Sequence, residues 1–147
     1  MGLDGGVPAG QLKRIDVFSD GAARGNPGRA AIAYAIYDEA GNRIESDYRL
    51  IGTATNNEAE YQALMLAIDR ASAHCTGRAH FFLDSKLVVK QVNGEYRARD
   101  ERMQGYLRVV LAKMKRFSEP RVTHVPREND RIQFVDWMVN KALDRSG

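Results

Sequence analysis

A single carboxylate breaks the pattern of the stretch "TNNEAEYQAL", Thr55 to Leu64. Its periodicity predicts a helix from Asn57 to about Ala73. At roughly 100° per residue, Glu58, Gln62, Asp69 and Ser72 gather on the polar side. Glu60 falls on the opposite side, among Ala63, Leu64, Ala67 and Ala71. An unpaired carboxylate on a buried face is strongly unfavourable, so Glu60 needs a partner. Three further acids stand at element ends. Asp20 closes the alternating run "RIDVFSD" and Asp84 closes the apolar run "RAHFFLD". Asp136 falls in the first turn of a last helix, at the edge of an apolar stripe that includes Val139 and Leu143.

Four acids that converge repel one another unless hard cations neutralise them, and an oxygen-only donor set suits Mg²⁺ or Mn²⁺. Two such ions about 4 Å apart support in-line attack of water on a phosphodiester. Three of the acids also have structural explanations. Asp20 precedes Gly21 and fits a turn, Asp84 precedes Ser85 and fits a helix cap, and Asp136 fits an early-turn acid favoured by the helix dipole. Glu60 has no comparable explanation. Other chemistries find less support: Cys75 is the only cysteine, and His74, His80 and His124 lack zinc-type spacing.

The elements that must position these acids follow from periodicity and turn chemistry. "RIDVFSD" (14–20), "AAIAYAIYD" (30–38) and "RIESDYRLI" (43–51) read as strands, separated by the turn residues of "DGAARGNPG" and "EAGN". Short connections make them an antiparallel meander. The helix carrying Glu60 follows. "RAHFFLD" (78–84) is a continuous apolar run, as expected of a central strand. Then come a brief helix opened by Ser85, a longer helix at about 101–117, a strand "RVTHVP" (121–126) and a helix at about 134–144. The order is βββαβαβα with one extra helix. It calls for an α/β fold: a mixed five-stranded sheet, three strands antiparallel and two parallel, with helices on both faces. Right-handed crossover makes the first and fourth strands parallel neighbours, so Asp20 and Asp84 emerge side by side. In such sheets, ligand sites lie beyond the carboxyl ends of parallel strands.

Composition sets the frame. The chain has 147 residues, 44% hydrophobic and 28% charged, which suits one soluble globular domain. The expectation is a flexible leader over residues 1–13 and a single domain over 14–147. No stretch approaches the roughly 20 apolar residues of a membrane span, and "MGLDGGVPAGQLKR" lacks the order of a secretory signal. A cytoplasmic monomer is expected. With 22 Lys plus Arg against 19 Asp plus Glu, the mild basic excess permits a polyanionic partner.

Five segments, "SDGAARGNPG", "TNNEAEYQAL", "LDSKLVVKQVNGEY", "VPRE" and "DWMVNKALD", occur in the order found in type 1 ribonucleases H. Over Arg14 to Asp144 the chain resembles that family, above all its compact archaeal-like branch. The resemblance implies a ribonuclease H-like fold. It also implies hydrolysis of the RNA strand of RNA/DNA hybrids by two metal ions, Mg²⁺ or Mn²⁺, leaving 5′-phosphate and 3′-hydroxyl ends. By similarity Asp20 bridges both ions, Glu60 and Asp84 hold one, and Asp136 helps hold the other. Glu60 then approaches the 2′-hydroxyl, one way to distinguish RNA from DNA. The same resemblance assigns hybrid contacts to Gly21, Ala22, Ala23, Asn26, Asn56, Asn57 and Lys86; Asn57 also fits a helix cap.

Three departures stand out. The stretch before the long helix, "NGEYRARDERM", is short and of mixed charge where other members carry a lysine-rich protrusion. "VPREND" replaces a histidine-bearing loop, with Arg127 as the candidate substitute among the catalytic residues. The interval between that arginine and Asp136 is about two residues longer than usual. A non-catalytic hybrid-binding module and another nuclease of the same superfamily are the alternatives.

Overall fold

The computed structural model describes residues 12–146. Its elements are β1 (Leu12–Gly25), β2 (Gly28–Tyr37), β3 (Arg43–Ala54), α1 (Asn56–Ala71), β4 (Cys75–Leu83), α2 (Lys86–Val92), α3 (Glu101–Met114), β5 (Glu119–His124) and α4 (Asp130–Ser146). Leu12 and Lys13, assigned above to the leader, already belong to β1. The rest of the expected leader lies outside the described residues.

The strands form one mixed sheet in the order β3-β2-β1-β4-β5. β1, β2 and β3 are antiparallel neighbours, while β1 with β4 and β4 with β5 are parallel. This is the expected architecture. Alternation along β1 divides the core: Ile15 and Val17 join one cluster with Leu64 and Ile68 of α1 and Val110 of α3, whereas Phe18 joins Ile132, Val135 and Val139 of α4. Helices therefore cover both faces, with α4 against β1, β2 and β3.

Four local expectations need correction. β1 does not stop at Asp20 but runs to Gly25, because Ala22 and Ala23 pair with Ala31 and Ala30 before the chain turns at Asn26 and Pro27. Asp20 is thus inside a strand. The cap of α1 is Thr55, not Asn57: its side chain accepts from Glu58 N, and the Glu58 carboxylate accepts from Thr55 N at 2.8 Å. This reciprocal arrangement satisfies two free donors of the first turn. Glu58 is buried rather than on a solvated side, held further by Arg102 of α3 at 2.9 Å. Finally, α4 begins at Asp130, where Asn129 Oδ1 accepts from the N–H groups of Arg131 and Ile132. Asp136 consequently lies in the second turn of α4.

Candidate active site

β1 pairs with β4 only as far as Phe18 opposite Phe82, while its pairing with β2 continues past Asp20. The parallel partner therefore parts from β1 just before the acid. Asp20 is buried at 5% exposure in the resulting notch. Asp84 is the first residue after β4, and Ser85, not Asp84, caps α2 by accepting from Val88 N at 3.3 Å. Glu60 enters from the first turns of α1, itself 6% exposed. Oxygen atoms of Asp20, Glu60 and Asp84 lie within 4.8 Å of one another. The capping and turn explanations for Asp84 and Asp20 are thereby removed.

Asp136 approaches from the opposite side of the sheet. Among the described residues it is not one of that close triad. Its carboxyl nevertheless stands near enough for its charge to raise that of Asp20. The early-turn explanation does not apply to it, since Asp130 occupies the first turn.

Glu60 is fixed by the backbone. The N–H of Gly21 donates to Glu60 Oε1 at 3.0 Å. That bond requires β1 and α1 to touch: a Cβ at position 21 would collide with the Ala59 carbonyl and lie 2.9 Å from Glu60 N. Gly21 is needed for this close approach rather than for a turn. Arg127, in the loop between β5 and α4, sets its Nε 3.6 Å from Asp84 Oδ2 while remaining 79% exposed. Asp84 Oδ1 is buried with no hydrogen-bond partner.

The electrostatics follow from this crowding. Burial pushes the Asp20 carboxyl well above the usual carboxylate range, and the charges of Glu60, Asp84 and Asp136 add to it. Glu60 is raised as well, first by burial and then by Asp84; the Gly21 hydrogen bond and the Arg127 charge oppose that shift. Mutual repulsion, an orphaned carboxylate oxygen and the absence of sulfur or nitrogen donors among the clustered acids make a donor set that fits hard divalent cations.

The residues assigned to substrate frame this notch on one side. Asn26 Oδ1 accepts from Asn56 N at 3.0 Å, and Asn56 Oδ1 accepts from Ala23 N at 3.3 Å. The turn after β1 is thereby stitched to the start of α1. Gly21 is buried with its N–H committed to Glu60, and Ala22 is half-buried beside it. Asn57 is exposed, lining an open groove with Asn26, Thr55 and Arg102. Lys86 is exposed at the start of α2, two residues after Asp84.

One neighbour of Asp136 has no place in the sequence reading. Asn140 donates its side-chain amide to Asp136 O at 3.0 Å and to Asp136 Oδ2 at 3.3 Å. Arg24 in turn donates to Asn140 Oδ1 at 3.3 Å and pairs with Asp144 at 2.6 Å. The four-residue spacing in "DWMVN" was the available signal, because such positions are neighbours on one helix face.

Comparison with known proteins agrees with this fold. Residues 18–142 match the family model described as reverse transcriptase-like. A protein of Halobacterium salinarum named ribonuclease HI is 35% identical over 131 residues, 89% of this chain and 65% of its own length. The crystal structure of RNase H1 from that archaeon superposes with a TM-score of 0.85 at 33% identity, over 90% of this chain and 98% of that one. The N-terminal RNase H domain of a bifunctional protein of Mycobacterium tuberculosis gives 0.83 at 28% identity, over 90% and 94%. LC11-RNase H1, solved in complex with an RNA/DNA hybrid, gives 0.84 at 32% identity, over 90% and 99%. The chain spans 65% of the length of the full Halobacterium protein and 36% of the mycobacterial one.

Proposed function

The chain belongs to the type 1 ribonuclease H family, and we propose from this that it is an endoribonuclease hydrolysing the RNA strand of RNA/DNA hybrids. The products are 5′-phosphate and 3′-hydroxyl ends. The single observation that carries the reading is Glu60, buried on a helix face against Asp20 and Asp84. A helix that buries a carboxylate beside two others is explained by a cation they share.

Asp20, whose carboxyl feels the charges of Glu60, Asp84 and Asp136 alike, would contact both ions. Glu60 and Asp84 would hold one, and Asp136 would help hold the other. Mg²⁺ or Mn²⁺, when bound, supplies polarisation of the phosphate and activation of the attacking water. Glu60, fixed by Gly21 N–H, has a second oxygen free to face the ribose 2′-hydroxyl, which supports selection for RNA. Arg127, exposed and only 3.6 Å from Asp84, can turn its guanidinium to a substrate phosphate. The backbone of Gly21, Ala22 and Ala23, with Asn26, Asn56 and Asn57, meets the hybrid beside the notch, and Lys86 reaches a phosphate. Hybrid binding by LC11-RNase H1 supports this partner.

The test is cleavage of an RNA/DNA hybrid by the pure protein with Mg²⁺ or Mn²⁺. Activity should vanish in Asp20→Asn and on chelation. Full activity in that variant would overturn the two-metal assignment. Tight hybrid binding without turnover in either metal would instead leave a binding module.

A further inference from the structure

The outer flank of α4 carries a feature that the acid cluster does not use. Phe134, Trp137, Lys141 and Arg145 recur at three- and four-residue spacing, so they share one flank, turned away from that of Asp136 and Asn140. Trp137 is 55% exposed, although a large indole normally seeks cover. Its ring lies nearly parallel to that of Phe134, with centroids 6.2 Å apart and planes inclined by 24°. Cations surround the pair. The Arg43 guanidinium of β3 sits 4.2 Å over Phe134, and Lys141 Nζ lies 5.7 Å from the Trp137 centroid. Arg145 extends the row, donating to the exposed Tyr48 hydroxyl at 3.5 Å.

These cations are not consumed by acids. Among the described residues, the side chains of Arg43 and Lys141 form no ion pair or hydrogen bond. The nearby Asp144 is engaged by Arg24 at 2.6 Å, leaving Asp130 as the acid at the far end of the flank. An exposed indole, backed by the half-buried Phe134 ring and edged by three free or lightly held cations, has the two components that bind single-stranded nucleic acid: stacking surface and phosphate partners. A duplex offers its bases only edge-on, so the rings favour an unpaired strand. From Phe134 to Arg145 the strip measures about 16 Å along the helix, which a stacked strand covers with about five phosphates.

We propose that this strip, centred on Trp137, binds an unpaired segment of polynucleotide: Trp137 stacks a base while Arg43, Lys141 and Arg145 hold phosphates. The proposal goes beyond hydrolysis by the acid cluster and does not depend on it.

Trp137 is the only tryptophan of the chain, so its emission reports on this site alone. The protein, without divalent metal, is titrated with oligouridine and with oligodeoxythymidine of about 12 nucleotides. Saturable quenching is expected with both, because stacking and charge do not read the 2′-hydroxyl. With three phosphates neutralised, the logarithm of affinity should fall against that of salt with a slope of about −2, and in Lys141→Ala of about −1.4. With dye-labelled strands, Trp137→Ala should bind about tenfold more weakly. Unchanged emission at saturation, or wild-type affinity in Trp137→Ala, would place the strand elsewhere and overturn the proposal. Emission that follows protein concentration alone would overturn it in favour of a contact between copies of the chain.

Discussion

Gly21 and Glu60, 39 residues apart, are joined by an N–H to carboxylate hydrogen bond of 3.0 Å at the closest approach of β1 to α1. A methyl group at position 21 has no room, since it would collide with the backbone of Ala59. Because the obstacle is backbone, relief requires the helix to move, and the carboxylate moves with it. Gly21→Ala should therefore lose about 1–3 kcal/mol of stability and most hybrid cleavage together. Urea unfolding and single-turnover cleavage measure the two. Wild-type activity in a folded Gly21→Ala protein would show that Glu60 tolerates displacement.

Glu60→Gln separates charge from shape. Glutamine keeps an oxygen for Gly21 N–H but removes a charge that Asp84 and burial disfavour. Cleavage should fall by two orders of magnitude or more, while the metal-free protein is as stable as wild type or slightly more so. Marked unfolding would instead reveal a structural partner for the carboxylate.

The same crowding fixes a pH dependence. Asp20 and Glu60 both have folded-state values raised above the ordinary ones near 4. A group of this kind adds stability that is fully present below its unfolded value and is lost as the pH rises through its folded value. Metal-free protein should accordingly lose stability through these two groups on going from about pH 4 to the alkaline side. Millimolar Mg²⁺ should restore it, because the cation binds the ionised form. Thermal melts with and without Mg²⁺, in wild type and in Asp20→Asn, check this; parallel curves for the two proteins would refute it.

Glu45 has the opposite sign. On β3 it accepts from Arg70 Nε at 2.6 Å and Nη2 at 3.0 Å, contacts His74 Nε2 at 2.7 Å, and accepts a hydrogen bond from the Tyr34 hydroxyl. The Arg70 hydrogen bonds above all pull its carboxyl down to about 2. Its contribution is present above the ordinary glutamate value near 4.3 and disappears as the pH falls through about 2. Glu45→Gln should lose about 1–2 kcal/mol at neutral pH, and the gap from wild type should close near pH 2. Chemical denaturation at both pH values is the measurement; a constant gap would assign the effect to packing.

Legibility in the sequence tracked the range of the forces involved. Periodicity exposed Glu60 because one acid among alanines and leucines is anomalous without any tertiary knowledge, and the order of strands and helices dictated the sheet. Sequence alone sets Asp20 at a strand end because Asp-Gly and Asn-Pro-Gly look alike as turn signals. Only the pairing of Ala22 and Ala23 with β2 shows that the first is strand and the second is turn. The Thr55 and Glu58 capping box was readable as a four-residue motif, yet amphipathic reasoning assigned Glu58 to solvent, since its partner Arg102 is 44 residues away. Asp136 was set one turn too early because "END" before the helix conceals a cap at Asn129. The Gly21 contact with Ala59 leaves no local trace at all.

Asn140 offers the sharpest test of how Asp136 is aimed. The Asp136 carboxyl carries Asn140 on one oxygen, and its charge acts on Asp20. Arg24 of β1, itself paired with Asp144 of α4, donates to Asn140 and holds it in place. Removing the amide frees the Asp136 rotamer without removing an acid, so Asn140→Ala should weaken Mn²⁺ affinity and cleavage by about 10- to 100-fold, as loss of outer-shell partners does at metal sites. Asn140→Asp should be worse, since it sets a second negative charge against Asp136. Asn140→Gln, whose longer side chain still offers an amide, should recover part of the loss. Calorimetric Mn²⁺ titration reads metal binding separately from turnover. Wild-type affinity with reduced turnover would mean that Asn140 acts on the substrate instead of on Asp136.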